Sequence, residues 1–193
     1  LNLFVYLVND VFDVSIDRVN KPHRAVAAGV VSRKAAVAWA VFCAAAGLAL
    51  SVPLGSGPLL IAAGSAVLLY LYSAWLKRIP LLGNITVGVL TGAAFIYGAM
   101  AFGNPAAGIV PAAFAFLFNV AREVLKDVED MRGDSLNAVH TFPLVAGEGA
   151  ALGLASAALL LLIVGSVLPY WFSLYGGLYF WVVFFGVDCV LVY

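Results

Sequence analysis

Seven apolar stretches, most of them long enough to cross a lipid bilayer, account for most of this sequence. A membrane-spanning helix needs about 20 mostly apolar residues, and runs of this length without alternation are not β-strands. Hydrophobic residues make up 64% of the chain and charged residues 10%, whereas soluble domains are roughly half apolar and a quarter charged. The sequence therefore predicts an all-α, polytopic bundle of transmembrane helices.

Glycine and proline residues punctuate the gaps between these stretches. The predicted helices cover residues 1–16, 33–51, 58–76, 82–102, 105–122, 143–165 and 169–192. Pro111 lies inside the fifth helix and is expected to kink it. Because the chain begins and ends within apolar runs, we expect residues 1–193 to be a single transmembrane domain that is truncated at both ends.

The basic residues are distributed unevenly among the connections. All ten follow the apolar part of the first, third or fifth helix: Arg18, Lys21, Arg24, Arg33, Lys34, Lys77, Arg78, Arg122, Lys126 and Arg132. The other three connections carry no charge. This alternation follows the positive-inside rule and predicts a multi-pass protein of the cell membrane with its charged loops in the cytoplasm. A net charge of zero gives no electrostatic case for binding nucleic acid.

Two rows of aspartates have the same spacing of i, i+3 and i+7, which places each row on one face of a helix. The rows are Asp10, Asp13 and Asp17, and Asp127, Asp130 and Asp134. One such row is as readily explained by a solvated helix end. Two rows, each closing a helix predicted to run from outside to inside, are expected to face each other across the bundle and favour a cation site.

Magnesium is the cation that this chemistry predicts. Clustered carboxylates resist ionising together, and Mg²⁺ is held by one or two carboxylates together with substrate phosphates. No cluster of histidine and cysteine suggests zinc. All six aspartates are therefore candidate ligands for Mg²⁺, with a diphosphate as the companion anion.

Basic and polar side chains accompany both rows and are candidates for binding that anion. Arg122 and Lys126 lie one helical turn apart and lead to Asp130, and such groups grip phosphate oxygens. The positive-inside bias alone accounts for most of the other basic residues. The candidate substrate-binding residues are Asn9, Arg18, Arg24, Tyr72, Lys77, Arg78, Asn84, Arg122 and Lys126.

These motifs resemble those of the UbiA-type intramembrane prenyltransferases. Residues 9–18, with the sequence NDVFDVSIDR, and the loop that follows are similar to the family's first aspartate-rich motif. Residues 122–134 resemble its second motif, and residues 72–84 resemble its third charged loop. The resemblance covers the whole chain in the correct order.

The resemblance implies a fold of nine helices around a lipid-open cavity, a polyprenyl diphosphate donor, a lipid-like acceptor and Mg²⁺, with no obligate protein partner. The second motif is most similar to that of members that join a geranylgeranyl chain to geranylgeranylglyceryl phosphate in ether-lipid synthesis. Prenyl transfer to an aromatic acceptor in a quinone- or chlorophyll-type pathway is the alternative within the family.

A mechanism follows from these assignments. Lys77, Arg122 and Lys126 are expected to stabilise the leaving diphosphate together with the metal. Asp127 or Glu129 would take the proton of the acceptor hydroxyl, and the sequence leaves that choice open. A cation transporter is the alternative from another class. It would place its acids near the midplane at helix breaks, whereas here they lie at helix ends among basic residues.

Overall fold

The regular structure is helical throughout the part of the chain that the computed structural model describes, residues 2–136 and 140–189. The predicted ends at Leu1 and Val192 lie outside the described residues. The α-helices, numbered in chain order, are α1 (Asn2–Phe12), α2 (Val14–Asn20), α3 (Arg33–Ser51), α4 (Ser56–Ala74), α5 (Leu82–Ala101), α6 (Ile109–Leu136), α7 (Phe142–Ala146), α8 (Glu148–Trp171) and α9 (Gly177–Val183). The π-helical segment Phe184–Asp188 continues α9.

Five helices are long and apolar enough to cross a membrane, which confirms the predicted multi-pass helical fold. They are Arg33–Leu54, Ser56–Ala74, Leu82–Ala101, Pro105–Met131 and Glu148–Trp171. The first and seventh predicted segments are shorter apolar helices among the described residues, Leu3–Phe12 and Gly177–Asp188.

Local sequence signals explain several helix ends. Ser32 caps α3, because its hydroxyl accepts a hydrogen bond from the backbone N–H of Ala35 at 3.1 Å and so satisfies one of the unpaired groups of the first turn. Gly147 separates α7 from α8 with φ of 90°, a conformation that glycine adopts without steric cost. The prediction of one helix over residues 143–165 was wrong at its start for this reason.

Two predictions about prolines were wrong. Pro111 is the third residue of α6, within the first turn, where a missing N–H breaks no helical bond. Pro169 lies inside α8, which continues past the predicted gap at residues 166–168. The chain turns instead after Trp171, where the N–H of Leu174 bonds to the carbonyl of Pro169 at 2.8 Å. That turn also carries no charge.

The chain divides into two compact units, each with its own packing. The first contains α1 to α4 and Tyr97–Pro105. Its core is a cluster of Phe4, Val8 and Ala40. In the same unit the hydroxyls of Ser51 and Tyr97 are hydrogen-bonded at 3.0 Å.

The second unit contains Arg78–Ile96 and the helices from α6 to α9. Small side chains fill its core, which is a cluster of Ala121, Val124, Ala151, Ala155 and Ala158 at the contact of α6 with α8. Such residues let helix backbones approach closely in a membrane. At Gly92 a Cβ atom would lie 2.9 Å from a backbone carbonyl oxygen of α6.

A buried polar cluster joins α8 to the segment after α9 within the second unit. The hydroxyl of Ser166 lies 2.9 Å from Asp188 and 2.7 Å from the carbonyl of Ile163, so its one proton is shared between these two acceptors. The hydroxyl of Tyr179 donates to the carbonyl of Ser166 at 2.8 Å. Asp188 and Ser166 are 7% and 1% exposed. Hydrogen bonding lowers the cost of holding these polar groups away from water.

Candidate active site

The first aspartate row lies where α1 passes into α2. Asp13 interrupts the helix with φ of −98° and ψ of 8°. The backbone hydrogen bonds nevertheless continue, from the N–H of Asp13 to Asn9 at 2.8 Å and from the N–H of Asp17 to Asp13 at 2.7 Å. The helical register therefore persists across the interruption, and the spacing of the row keeps its meaning.

Arg24 links the two ends of this row. Its Nη1 atom lies 3.1 Å from Asp10 Oδ1 and 2.8 Å from Asp17 Oδ2. The side chain of Asp17 is only 7% exposed, so its charge is poorly hydrated and depends on this partner. That one guanidinium reaches both carboxylates supports the prediction that Asp10 and Asp17 share a face.

Lys77 neutralises the middle of the row. Its ammonium lies 2.6 Å from both carboxylate oxygens of Asp13, although 64 residues separate the two in sequence. The neighbouring Asn9 has a buried side-chain oxygen without a hydrogen-bond partner. Such an atom is costly in a folded protein and is available to a donor or a cation.

The second row lies at the end of α6, a continuous helix of 28 residues. At about 1.5 Å per residue this helix is longer than the hydrocarbon core of a bilayer, so its charged end extends beyond the apolar part. Asp127 is half-buried and accepts a hydrogen bond from Asn84 Nδ2 at 2.8 Å. Asn84 itself is 8% exposed. The predicted helical conformation of this stretch is confirmed.

The electrostatics of this second row differ from those of the first. Asp130 is exposed and Asp134 is half-buried, and no described basic side chain forms an ion pair with either. Burial raises the pKa of Asp134, and the negative charge of Asp130 raises it further, while the hydroxyl of Thr141 and the charge of Lys126 partly offset both effects. Among the described side chains, the row therefore has Lys126 nearby but no basic partner in ion-pair contact with Asp130 or Asp134.

The remaining predicted residues of α6 lie around the row. Arg122 is exposed and pairs with the adjacent Glu123, while Lys126 and Glu129 are exposed. Sequence reasoning missed Glu123 as a candidate. It stands four residues before Asp127, so helical geometry adds it to the acidic face, and this spacing was visible in the sequence.

Arg18, Arg78 and Tyr72 are the other predicted substrate-binding residues. Arg18 and Arg78 are exposed, and neither forms an ion pair with another described residue. Tyr72 is partly buried in α4. Their roles stay predictions.

The donor atoms fit a hard divalent cation, because they are carboxylate oxygens together with the partnerless amide oxygen of Asn9. Among the described residues, no three acidic, histidine or cysteine side chains converge on one point. A metal here would therefore take few ligands from either row and complete its shell with water and phosphate, as Mg²⁺ prefers. The assignment of the six aspartates as ligands stays a prediction.

Together, the fold and these residues define a multi-pass α-helical membrane protein with acidic rows on two helices, each with polar partners. The chain belongs to the UbiA prenyltransferase family, whose family model matches residues 1–193. This confirms the family resemblance of the aspartate motifs.

Two relatives with the same name are among the proteins most similar to this chain. The chain is 42% identical over 163 residues to a digeranylgeranylglyceryl phosphate synthase of Methanopyrus kandleri, covering 84% of this chain and 60% of that protein. It is 41% identical to the synthase of the same name from Pyrococcus abyssi, covering 84% and 58%. The chain thus spans about 60% of the length of these relatives.

A solved structure is also similar, with a TM-score of 0.80 and 32% sequence identity, covering 90% of this chain and 62% of that one. It is described as giving "structural and mechanistic insights into the biosynthesis of digeranylgeranylglyceryl phosphate synthase in membranes". At this level of identity and overlap, the similarity supports the helical membrane fold.

Proposed function

We propose that this chain carries the transfer site of a Mg²⁺-dependent prenyltransferase that moves a geranylgeranyl group from its diphosphate to geranylgeranylglyceryl phosphate. This proposal depends on one observation: relatives that are 40–42% identical over alignments covering 84% of this chain bear the name digeranylgeranylglyceryl phosphate synthase. These names favour a glyceryl phosphate acceptor over an aromatic one. Family membership favours group transfer over cation transport.

The first row, with its partners, would bind the donor's charged end. Asp13 and Asp17 supply carboxylate oxygens for the metal, and Asn9 offers a free amide oxygen. Bound Mg²⁺ supplies electrostatic stabilisation of the diphosphate as the allylic C1–O bond breaks. Lys77 and Arg24 lie within bonding distance of the same carboxylates, where their N–H groups can bind phosphoryl oxygens. The prenyl chain would lie along apolar helix faces.

The second row would supply a metal site and the group that takes the acceptor's proton. Asp130 and Asp134 are the more accessible carboxylates and suit the metal. Asp127 and Glu129 remain the two candidates for the acceptor's proton. Positions two apart on a helix point in nearly opposite directions, so a single acceptor hydroxyl can reach only one of them. Asn84 fixes the orientation of Asp127, which favours Asp127.

The orientation in the membrane is part of this proposal. All the basic residues belong to alternate connections, so the positive-inside rule places both rows on the cytoplasmic side. A cytoplasmic site suits charged, water-soluble phosphate groups. A cysteine-accessibility experiment on intact cells with Lys34→Cys and Ser173→Cys would test this orientation. We expect a membrane-impermeant reagent to label Ser173→Cys, and labelling of Lys34→Cys from outside would contradict the proposed orientation.

The test of function is product analysis in lipid with geranylgeranyl diphosphate and Mg²⁺. Geranylgeranylglyceryl phosphate and 4-hydroxybenzoate would be offered in competition, and products identified by mass. We expect a doubly prenylated glyceryl phosphate that disappears with EDTA and in Asp130→Asn. Glu148→Gln is the control, since Glu148 is an exposed acid of α8 outside either row. A prenylated benzoate would move the proposal to an aromatic acceptor, and full turnover in Asp130→Asn would contradict the role of the row.

A further inference from the structure

The two aspartate rows differ in what neutralises them. In the first, each carboxylate already has a basic partner: Arg24 bridges Asp10 and Asp17, and Lys77 binds Asp13. A cation entering the row must therefore compete with groups that are already bound.

The competition is direct because the same oxygen atoms are involved. Lys77 lies 2.6 Å from both oxygens of Asp13, so no oxygen of that carboxylate is left without a positively charged neighbour. Asp13 and Lys77 are only 20% and 18% exposed, and water therefore screens their attraction weakly. Repulsion between the ammonium and a divalent cation therefore disfavours a metal at Asp13 while the pair is intact.

The second row presents no such competitor among the described residues. Asp127 accepts from Asn84, a neutral amide, and no described basic side chain forms an ion pair with Asp130 or Asp134. Lys126 offsets part of the charge of Asp134, but it is exposed and forms no ion pair with the described carboxylates. A divalent cation therefore has to break no described ion pair there, and it relieves the repulsion between neighbouring carboxylates.

We infer that Arg24 and Lys77 are exchangeable counter-ions that keep the first row closed to metal until a diphosphate arrives. Phosphoryl oxygens offer both side chains stronger, charge-assisted partners. Their transfer to the diphosphate exposes the carboxylates, so that the second row takes a metal ion before the first row does. This inference rests on the proposed function and adds an order of binding to it.

The first test is a measurement of metal affinity without diphosphate, by Mn²⁺ electron paramagnetic resonance on the chain in lipid nanodiscs. Removing a competing cation should tighten metal binding, so we expect Lys77→Gln to raise the affinity of the first row for Mn²⁺ by about tenfold. This factor corresponds to about 1.4 kcal/mol, a free energy between those of exposed and of buried ion pairs. Arg24→Gln should act in the same direction. Lys21→Gln is the control, because it removes an equal charge from an exposed side chain nearby.

A residue that only binds phosphate would give a different result. Removing such a residue would leave the affinity for Mn²⁺ in the absence of phosphate unchanged. Removing a residue that only maintains the fold would lower that affinity. If Lys77→Gln and Arg24→Gln both bind Mn²⁺ no more tightly than Lys21→Gln, the counter-ion role is wrong.

The second test concerns order, with inorganic pyrophosphate as the probe. Without it we expect one tightly bound Mn²⁺ per chain, lost in Asp130→Asn and retained in Asp13→Asn. With pyrophosphate we expect a second Mn²⁺, which Asp13→Asn removes. Two tightly bound ions without pyrophosphate would overturn the inferred order.

Failure of the proposed function would look different in the same experiments. In that case the unsubstituted chain would bind no Mn²⁺ with or without pyrophosphate, or would bind it equally in all the aspartate variants. The ordered result supports both proposals, whereas two simultaneous sites that depend on the aspartates leave the function standing and refute the order.

Discussion

Asn84 offers a sharp test of how α5 positions the second aspartate row. Its side-chain amide is 8% exposed and donates to Asp127 at 2.8 Å. A hydrogen bond to a charged group contributes about 1.5–3 kcal/mol, and about 1.4 kcal/mol corresponds to a factor of ten. Asp127 is only half-buried, so water can replace part of the lost bond. We therefore expect Asn84→Ala to lower prenyl transfer by about tenfold, because Asp127 loses the hydrogen bond that orients it towards the acceptor's proton.

The assay is turnover with geranylgeranyl diphosphate in lipid, accompanied by thermal unfolding of the same samples. Thr86→Val is the matched control, since Thr86 is buried in the same helix and its hydroxyl donates to the carbonyl of Leu82 at 2.7 Å, one turn earlier in α5. The double variant with Asp127→Asn should be no slower than Asp127→Asn alone, because coupled residues are not additive. Wild-type turnover in Asn84→Ala, or additive losses in the double variant, would refute the reasoning.

Three further predictions concern stability, measured by thermal unfolding in detergent. Gly92→Ala should destabilise the chain by about 1–3 kcal/mol because of overpacking against the backbone of α6, whereas Gly98→Ala, which meets open space, should not. The raised pKa of Asp134 means that its carboxyl is harder to ionise in the folded chain than in the unfolded chain. Its ionisation therefore costs stability as pH rises above the ordinary aspartate value, so Asp134→Asn should stabilise the metal-free chain at pH 7 and not at pH 3. Ser166→Ala should cost about 1–3 kcal/mol by leaving Asp188 without its donor, and Asp188→Asn, which keeps an acceptor, should cost less.

The apolar pattern predicted the helical membrane fold, since the length of each run and the glycines between runs are local properties of the sequence. The proline predictions failed because the effect of a proline depends on its position within the helix. Pro111 falls in the first turn of α6, and Pro169 lies near the end of α8, where the N–H groups that follow still find a carbonyl.

The part of the candidate site that depends on local sequence was also predictable. The spacing of each aspartate row is local, and it placed the row on a helix face without any knowledge of the fold. The partners of the aspartates were not predictable, because Lys77 reaches Asp13 across 64 residues and Asn84 reaches Asp127 across 43. The sequence offered Lys77 and Asn84 as candidate substrate-binding residues, but which aspartate each one contacts depends on tertiary packing.

The ion pairs of the first row also bear on how such a chain enters a membrane. Helices ending in bare carboxylates are costly to insert, since each charge resists transfer towards lipid. Arg24 and Lys77 leave the three carboxylates of the row with a single uncompensated charge. Insertion of the first unit therefore does not require a metal ion, and its assembly in the bilayer should proceed equally well in cells depleted of divalent cations.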